Sequence, residues 1–256
     1  MNEIKKVIPC LDCNLSNGKI ELVKGKKFRN VKKVGDPVQQ VRKYCAQEAD
    51  EIVVLDINAT VEQRKTMVAA VKRIAAACTV PLTVGGGIKS VAEAAEIIEA
   101  GAAKIGVNSA AVKKPELLQQ LSQKLGKSAV VSAIDAQKVG NKWNVFINAG
   151  SKDTGLDAIE WAQTVEKLGA GSILLTSIDK DGTQQGFDIA LTKAISQAVA
   201  IPVIASGGAG SLEDMYTVLS EGKASAVLGA SIFHYGKFTV KQVKEYLKSK
   251  GLEVLQ

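Results

Sequence analysis

Eight short apolar runs recur along the chain, and each is followed by a segment with apolar residues at helical spacing. The runs are continuously apolar, which is typical of parallel strands that are buried on both faces of the sheet. Regular alternation of strands and helices predicts an α/β structure. The predicted strands are residues 7–12, 51–56, 82–85, 104–107, 129–135, 172–177, 203–206 and 224–228.

The segments between these runs predict helices with recognisable starts. Asp36 and Pro37 supply an N-cap and a first-turn proline, while Pro115 and Ser211 begin later helices. Eight βα units in 256 residues are typical of a closed (β/α)8 barrel, or TIM barrel, which we predict as one domain over residues 1–256. An open doubly wound sheet is the structural alternative. Helical spacing covers residues 62–77, 115–125, 158–168, 189–199, 212–221 and 240–250.

An internal repeat favours the barrel. Residues 82–111 align without a gap on residues 203–232 at an offset of 121, with two glycines and Ser90 of one copy on two glycines and Ser211 of the other. An open sheet does not predict a repeat of nearly half the chain. We therefore expect two similar half-barrels, each with a glycine turn before a helix, which is a phosphate-binding device.

Two segments break the regular alternation. Residues 142–147 alternate apolar and polar positions just after the fifth strand, which predicts a small hairpin inserted at the rim of the barrel. Residues 13–35 form a long connection between the first strand and the first helix, and they include a basic run at 24–33. Connections of this length are often functional, so we expect a mobile basic lid that carries Lys24 over an anionic substrate.

Composition narrows the function classes. Hydrophobic residues make up 46% of the chain, but no apolar run approaches the roughly 18 residues of a membrane span. The first residues lead directly into a strand without a signal-peptide core, so we expect a cytoplasmic protein without membrane contact. The net charge is +7, yet aromatic residues are only 4% and do not interleave with the basic residues. This pattern favours a small anionic ligand over nucleic acid.

The cysteines and the single histidine do not suggest a metal or a redox centre. The four cysteines fit reduced thiols, and Cys10 and Cys13 form a C-x-x-C without a second pair or a nearby histidine. His234, the only histidine, follows the eighth strand without a partner for a nucleophilic triad. We therefore expect neither a metal site nor a redox function at these residues.

The active sites of (β/α)8 barrels lie at the carboxyl ends of the strands. Asp12 ends the first strand and Asp135 ends the fifth, and these strands are equivalent in the two half-barrels. The two carboxyl groups should therefore face each other across the mouth of the barrel. Opposed acids suit general acid–base catalysis, although each aspartate alone could simply cap a loop or pair with a lysine. We predict that both are catalytic.

Candidate phosphate-binding residues also occur in two sets, because small residues let backbone N–H groups approach phosphate oxygens. The loop after the sixth strand adds Asp181, which we expect to face the substrate, and Gly182, which we expect to reach a phosphate. The first set, after strands three and four, is residues 85–87 with Asn108 and Ser109; the second, after strands seven and eight, is Gly207 and Gly208 with residues 229–231.

Taken together, these stretches resemble the cyclase subunits of imidazole glycerol phosphate synthase, a glutamine amidotransferase of histidine biosynthesis. The resemblance covers essentially the whole chain, and it depends on the combination of motifs rather than on any one of them. The matching stretches are IPCLD at 8–12, GDPV at 35–38, DEIVVLDI at 50–57, RKTM at 64–67, LTVGGGI at 82–88, AIDA at 133–136, TGLDAIEWA at 154–162, LTSIDKDGT at 175–183, IPVIASGGAG at 201–210 and SIFH at 231–234.

The resemblance implies a lyase that uses ammonia from a separate glutaminase subunit. The ammonia passes through the barrel and reacts with a bisphosphorylated phosphoribulosyl-formimino aminoimidazole carboxamide ribonucleotide. The products are imidazole glycerol phosphate and aminoimidazole carboxamide ribotide. The resemblance also implies that Asp12 and Asp135 form the acid–base pair, and that Lys24, Thr176 and Asp181 contact the substrate. It further implies that one phosphate is bound by Gly87, Asn108 and Ser109 and the other by Gly182, Gly208, Ala230 and Ser231, with no metal or organic cofactor.

The same resemblance places an ammonia entrance and the glutaminase interface at the N-terminal face of the barrel. The charged ring of that face corresponds to Lys6, Glu51 and Lys104 in this chain. Two positions depart from the family pattern, because Ser172 stands where a fourth, acidic member of the ring is usual and Ala103 replaces another acid.

Two related functions compete with this interpretation. The sister isomerase of the same pathway has the same duplicated barrel, paired aspartates and bisphosphate substrate. The CLD ending of the first strand and the loop at 175–183 favour the cyclase. The second competitor is a cyclase paralogue that supplies ammonia for sugar amination. Retention of both Asp12 and Asp135 argues against a mere conduit for ammonia.

Overall fold

The computed structural model describes residues 3–16, 19–26, 29–57, 59 and 68–255, without the side chains at 15–16, 19, 24–26 and 29–33. The strands are β1 (Lys6–Ser16), β2 (Lys19–Lys26), β3 (Arg29–Gly35), β4 (Ile52–Asp56), β5 (Leu82–Gly85), β6 (Lys104–Val107), β7 (Val130–Val139), β8 (Lys142–Ile147), β9 (Lys152–Asp157), β10 (Ser172–Ser177), β11 (Val203–Ser206) and β12 (Ala226–Gly229). The helices are α1 (Pro37–Ala46), α2 (Val68–Ala75), α3 (Val91–Glu99), α4 (Ser109–Lys113), α5 (Glu116–Leu125), α6 (Ala158–Lys167), α7 (Ile189–Ala198), α8 (Leu212–Ser220), α9 (Ser231–His234) and α10 (Val240–Ser249).

Eight parallel strands close into a barrel in the order β1, β4, β5, β6, β7, β10, β11 and β12. The circle is complete because β7 pairs with β10 and β12 pairs with β1. Helices connect successive strands of the barrel, so the predicted (β/α)8 fold is confirmed. Each of the eight apolar runs in the sequence forms one of these strands.

Alternation along each strand divides the buried residues into two layers. In β1, Ile8 and Cys10 point into the barrel, where they join an interior cluster that includes Val53, Leu174 and Ile204. The residues between them face outward and pack with the helices in a second, larger core. The interior is therefore filled by side chains below the mouth, and polar residues are confined to the two ends.

The two half-barrels repeat the same local devices. Ser90 and Ser211 cap α3 and α8, and each hydroxyl accepts a backbone N–H three residues later, at 3.2 and 3.1 Å. The gapless alignment, however, is wrong beyond these helices. The offset is 121 between β5 and β11 but 122 between β6 and β12, because one extra residue precedes β12 near Lys223, which has φ +58°.

The connection after the first strand is more regular than the sequence suggested. β1 continues beyond Asp12 and pairs antiparallel with β2, which pairs antiparallel with β3. Much of the connection at 13–35 is therefore strand rather than loop. Apolar and polar residues alternate in β2, so this segment can pair with the end of β1. Asp36 then caps α1 and accepts the backbone N–H groups of Val38 and Gln39, as predicted.

The other rim element follows the fifth barrel strand. β7 continues to Val139 and pairs antiparallel with β8, which pairs antiparallel with β9. Two short helices, α4 and α9, follow β6 and β12 and were not predicted, since five and four residues are too few to show helical periodicity. Of the helix predicted at 62–77, residues 62–67 lie outside the described part. Among the described residues, the helices are all too short or too polar to cross a membrane.

Candidate active site

A cavity of about 830 Å3 opens at the carboxyl ends of the barrel strands. Asp12 and Asp135 both line it, as do the two sets of residues predicted to bind phosphate. A volume of this size suits a small organic ligand. The structure therefore brings together the residues that the sequence assigned to the mouth. Other predicted residues of the lining are Gly87, Asn108, Ser109, Thr176, Asp181, Gly182, Gly208, Ala230 and Ser231.

Asp135 lies in an environment that disfavours its charged form. Burial is the main cause, and the nearby negative charge of Asp181 adds to it, so the pKa of Asp135 rises to about 7. The side-chain amide of Asn108 donates a hydrogen bond to Oδ2 of Asp135 at 2.9 Å and partly opposes this rise. Near neutral pH, Asp135 is thus present in both protonation states, as a general acid or base requires.

Asp12 occupies the equivalent place in the first half-barrel, but its neighbours differ. It is 9% exposed, and the thiol of Cys10 lies 3.7 Å from its Oδ1 atom. Its register partner on the next strand is the apolar Leu55, whereas the register partner of Asp135 is the hydroxyl-bearing Thr176. The two aspartates therefore share a position in the fold but not a chemical environment.

The first cup is formed by Gly86, Gly87, Asn108 and Ser109, and all four line the cavity. Gly86 has φ +97°, and a Cβ atom there would lie 2.2 Å from the carbonyl oxygen of Asp56, so only glycine fits. Ser109 begins α4, and its hydroxyl accepts a hydrogen bond from the backbone N–H of Asn148 at 3.0 Å. The turn after β8 thus fixes one wall of this cup.

The second cup is formed by Gly207, Gly208, Ala230 and Ser231. Gly208 has φ +107°, and a Cβ atom there would lie 2.1 Å from the carbonyl oxygen of Gly186. Ser231 begins α9, and its hydroxyl lies 3.4 Å from the side-chain amide nitrogen of Gln184. The cup has the same backbone device as the first, but its serine is contacted by a side chain rather than by the main chain.

The loop after β10 brings Asp181 and Gly182 to the cavity, as predicted. The backbone N–H of Asp181 donates to the carbonyl oxygen of Ser177 at 2.9 Å, and Gly182 continues the turn with φ +72°. This compact turn places the carboxylate of Asp181 close enough to raise the pKa of Asp135. Lys24 belongs to β2, but its side chain lies outside the described part of the structure.

The charged residues assigned to the ammonia entrance lie at the opposite end of the barrel. Glu51 is 2% exposed; it receives a hydrogen bond from Lys104 at 2.6 Å on one oxygen and from Thr83 at 2.6 Å on the other. Lys6 and Ser172 begin β1 and β10 at the same end. Thr83 also lines the mouth cavity, so a single side chain lies between the Glu51–Lys104 ion pair and the cavity.

Several residues of the site were missed by sequence reasoning. Asn148 belongs to a turn between alternating strands, and this pattern could have marked it as a rim residue. Gln184 carries no sequence signal, because its place depends on a left-handed backbone with φ +57°. Lysines of the rim were also missed: Lys89, Lys113 and Lys114. Within the described residues, no three His, Cys, Asp or Glu side chains are grouped to hold a metal ion.

The fold and the site define a class of protein: a (β/α)8 barrel whose mouth cavity is lined by two glycine turns, one from each half-barrel, and by two aspartates. A family model described as histidine biosynthesis protein matches residues 6–239. Imidazole glycerol phosphate synthase subunit HisF of Dehalococcoides mccartyi strain BAV1 is 52% identical over 250 residues, which cover 98% of this chain and 97% of that protein. The subunit of the same name from Thermococcus onnurineus is 54% identical over the same coverage.

The chain belongs to the family of imidazole glycerol phosphate synthase HisF subunits, an enzyme family of histidine biosynthesis. The relatives support the cyclase subunit and not the sister isomerase, as the sequence motifs predicted.

Proposed function

We propose that this chain catalyses ammonia-dependent ring closure of a phosphoribulosyl-formimino aminoimidazole carboxamide ribonucleotide, giving imidazole glycerol phosphate and aminoimidazole carboxamide ribotide. One observation carries the proposal: two carboxyl groups and two glycine cups line a single cavity of about 830 Å3. A substrate with a phosphate at each end would bridge the cups and present its reacting centre to the carboxyl groups. The proposal treats residues 1–256 as one domain that acts in the cytoplasm.

The two phosphates would be bound mainly by main-chain N–H groups. The glycine turns and the first residues of α4 and α9 line the cavity, where backbone N–H groups can approach a phosphate closely, and the serine hydroxyls add donors. The first cup would use Gly87, Asn108 and Ser109, and the second would use Gly208, Ala230 and Ser231, with Gly182 beside it. Binding at both ends would fix the substrate so that the bond to be broken lies between the aspartates.

The reaction needs both a proton acceptor and a proton donor. The nitrogen of ammonia must lose protons as it bonds to the formimino carbon and to the ketone carbon of the ribulosyl group. The ketone oxygen leaves as water, and the departing amine of the carboxamide ribotide must gain a proton. Asp135 is the group best suited to donate, because burial and Asp181 raise its pKa to about 7. Asp12 would then accept a proton from the incoming nitrogen. Thr176, Asp181 and Lys24 would contact the substrate between and above the cups.

We further propose that a glutaminase subunit binds at the N-terminal face and delivers ammonia through the barrel. Lys6, Glu51 and Lys104 lie at that end, and Glu51 is joined by Thr83 to the mouth cavity. The ion pair between Glu51 and Lys104 lies at one end of the apolar interior. Ammonia would therefore enter the barrel only when this ion pair opens. The subunit names of the relatives agree with a chain that works in a complex.

The central test is the cyclase reaction without any partner. Purified protein, the bisphosphate substrate and an ammonium salt, at a concentration that supplies free ammonia near neutral pH, should yield both products, measured by chromatography. Absence of imidazole glycerol phosphate under these conditions would refute the proposal. The buffer without ammonium salt is the control, since hydrolysis alone would release carboxamide ribotide but form no imidazole glycerol phosphate.

The partner proposal needs a separate measurement. Lys104→Gln keeps a hydrogen-bond donor towards Glu51 but removes the positive charge. We expect ammonia-dependent turnover within about twofold of the wild type, because the cavity is untouched, and a several-fold loss of glutamine-dependent turnover with a purified glutaminase subunit. Equal loss in both assays would place the effect in the barrel itself rather than at the entrance.

A further inference from the structure

Two of the four cysteines lie in contact on the outside of the barrel. Cys45 is in the last turn of α1, and Cys78 is in the turn that follows α2. Helices of this fold end at the N-terminal face of the strands, so both cysteines lie at the face opposite the substrate cavity. Both side chains are half-buried rather than enclosed, which leaves them accessible to small molecules.

Local hydrogen bonds hold the two sulfur atoms together. The backbone N–H of Thr79, the residue after Cys78, donates to Sγ of Cys45 at 3.4 Å. The thiol of Cys78 donates to the carbonyl oxygen of Val80 at 3.2 Å and also interacts with the thiol of Cys45. Two thiols from different helical units are therefore in contact, although they are 33 positions apart in the sequence.

The other two cysteines provide a contrast within the same molecule. Cys10 and Cys13 are three positions apart in β1 and are buried, at 2% and 1% exposure. Because neighbouring positions of a strand point to opposite faces, Cys10 points into the barrel while Cys13 faces the outer core. These two sulfur atoms are thus directed apart, despite their C-x-x-C spacing.

We propose that Cys45 and Cys78 form a redox modification site, in which hydrogen peroxide converts the two thiols into one intramolecular disulfide. The overall reaction is balanced: two S–H bonds and the O–O bond break, one S–S bond forms, and two molecules of water leave. The peroxide accepts the two electrons that the sulfur atoms lose. The bond would join α1 to the segment between α2 and β5 on the outer surface of the barrel.

The order of the two steps follows from the surroundings of Cys78. Burial is the largest cause of a rise in the pKa of Cys78 to about 11, so this group remains a thiol at neutral pH. The hydrogen of the Cys78 thiol is held by the carbonyl oxygen of Val80, whereas Sγ of Cys45 receives the backbone N–H of Thr79. Cys45 is therefore the sulfur that attacks peroxide first, which gives a sulfenic acid and water. The thiol of Cys78 then displaces the second water and closes the disulfide. This assignment predicts that Cys78 acts as the resolving cysteine.

Mass spectrometry of the full-length protein tests the proposal directly. After treatment with hydrogen peroxide, trypsin digestion without reductant should yield residues 44–64 linked to residues 74–89, with the loss of two hydrogen atoms. A disulfide between Cys10 and Cys13 would instead remain within the single peptide 7–19. Detection of that bond alone, of disulfide-linked dimers, or of four unmodified thiols would overturn the proposal.

Serine variants test the order of reaction. In Cys78→Ser, peroxide should leave Cys45 as a sulfenic acid that a dimedone probe captures. In Cys45→Ser, we expect at least tenfold less labelling at Cys78. The opposite pattern would overturn the assignment of Cys45 as the attacking group. These readouts do not depend on the proposed catalytic function, since they measure the cysteines directly. The disulfide would lie at the face opposite the cavity, so oxidation should change wild-type ammonia-dependent turnover by less than twofold.

Discussion

The two halves of the barrel mouth share a backbone but differ in charge. Gly86 and Gly207 have φ +97° and +90°, and Ser109 and Ser231 begin equivalent short helices. The lysines of the cavity lining, however, all follow β5 and β6 in the described residues: Lys89, Lys113 and Lys114. The second cup instead presents the neutral amide of Gln184. Duplication has kept the features that depend on main-chain geometry and has changed those that depend on side chains.

The same division applies to the proposed catalytic pair. Asp12 and Asp135 end equivalent strands, but Asp135 is contacted by the amide of Asn108 and faces the negative charge of Asp181, whereas Oδ1 of Asp12 lies beside the thiol of Cys10. A symmetric pair would place two equal carboxyl groups around the substrate. An unequal pair allows one group to supply a proton while the other accepts one. The difference between the halves is therefore what would turn a duplicated binding site into an acid–base site.

The largest expected effect comes from removing either carboxyl group. Asp12→Asn and Asp135→Asn should each lower ammonia-dependent kcat by roughly 100- to 10,000-fold, because each deletes one proton-transfer group. Binding of the bisphosphate, measured by calorimetry, should stay within a few-fold of the wild type, since the cups are unchanged. If only one of the two variants lost activity, the reaction would need a single acid–base group.

A nearby aspartate outside the cavity lining offers a matched control for these variants. Asp179 accepts the backbone N–H of Lys138 at 2.9 Å in the same rim region. Asp179→Asn keeps an acceptor and should leave kcat within about twofold. A large loss in this variant would show that rim stability, rather than proton transfer, accounts for the effect of the Asp135 change.

The sequence predicted most of what main-chain physics determines. Continuous apolar runs gave the eight barrel strands, and the paired glycine turns and the caps at Ser90 and Ser211 gave the repeat. The sequence did not predict which residues contact the serines of the two cups. Gln184 and Asn148 reach Ser231 and Ser109 through left-handed backbone conformations, which no periodicity of the sequence reveals. The β1–β2–β3 segment was also missed, since we interpreted the length and basic charge of residues 13–35 as a lid rather than as strands that continue the pairing of β1.

The second prediction tests why the two aspartates differ. Asp181→Asn removes the negative charge that helps to raise the pKa of Asp135, so that pKa should fall below 7 while burial keeps it above its ordinary value. A general acid works only when protonated. At constant free ammonia, the decline of kcat/KM with rising pH should therefore begin at a lower pH in this variant.

Carboxyl carbon NMR of the labelled protein can follow the titration of Asp135 directly. The resonance of Asp135 should titrate near pH 7 in the wild type and at lower pH in Asp181→Asn. An unchanged titration of Asp135 would leave burial as the whole cause of its raised pKa. In Asn108→Ala, the pKa of Asp135 should rise instead, because the amide of Asn108 stabilises the charged form of this carboxyl group.

The third prediction separates the two cups by their charge. Replacing Lys113 and Lys114 together by alanine should raise KM by about three- to tenfold at low salt, because two cations that attract phosphate are lost. The effect should shrink as ionic strength rises. Gln184→Ala should raise KM by about two- to fivefold at every salt concentration, because a neutral hydrogen-bond donor is lost. Equal salt dependence in the two variants would show that the cups are not distinguished by charge.

The smallest expected effect concerns strain at the rim of the first cup. Ala149 lines the cavity with φ +55°, a conformation that costs little for glycine but is unfavourable for alanine. Ala149→Gly should raise the free energy of unfolding by roughly 0.5–1 kcal/mol, or about 1–4 °C in Tm. KM should not change, because only a methyl group is lost.

The two cups should respond differently to the same relief of strain. Gln184 has a similar φ of +57°, so Gln184→Gly should also raise Tm, but it should raise KM as well because the amide that contacts Ser231 is removed. Ala69→Gly, at an exposed position of α2, controls for the flexibility that glycine adds and should lower stability by about 1 kcal/mol. Differential scanning calorimetry of the three variants measures these changes in Tm. A loss of stability in Ala149→Gly would mean that the turn after β8 carries no strain, and that its left-handed residues are needed only to bring the Asn148 N–H to Ser109.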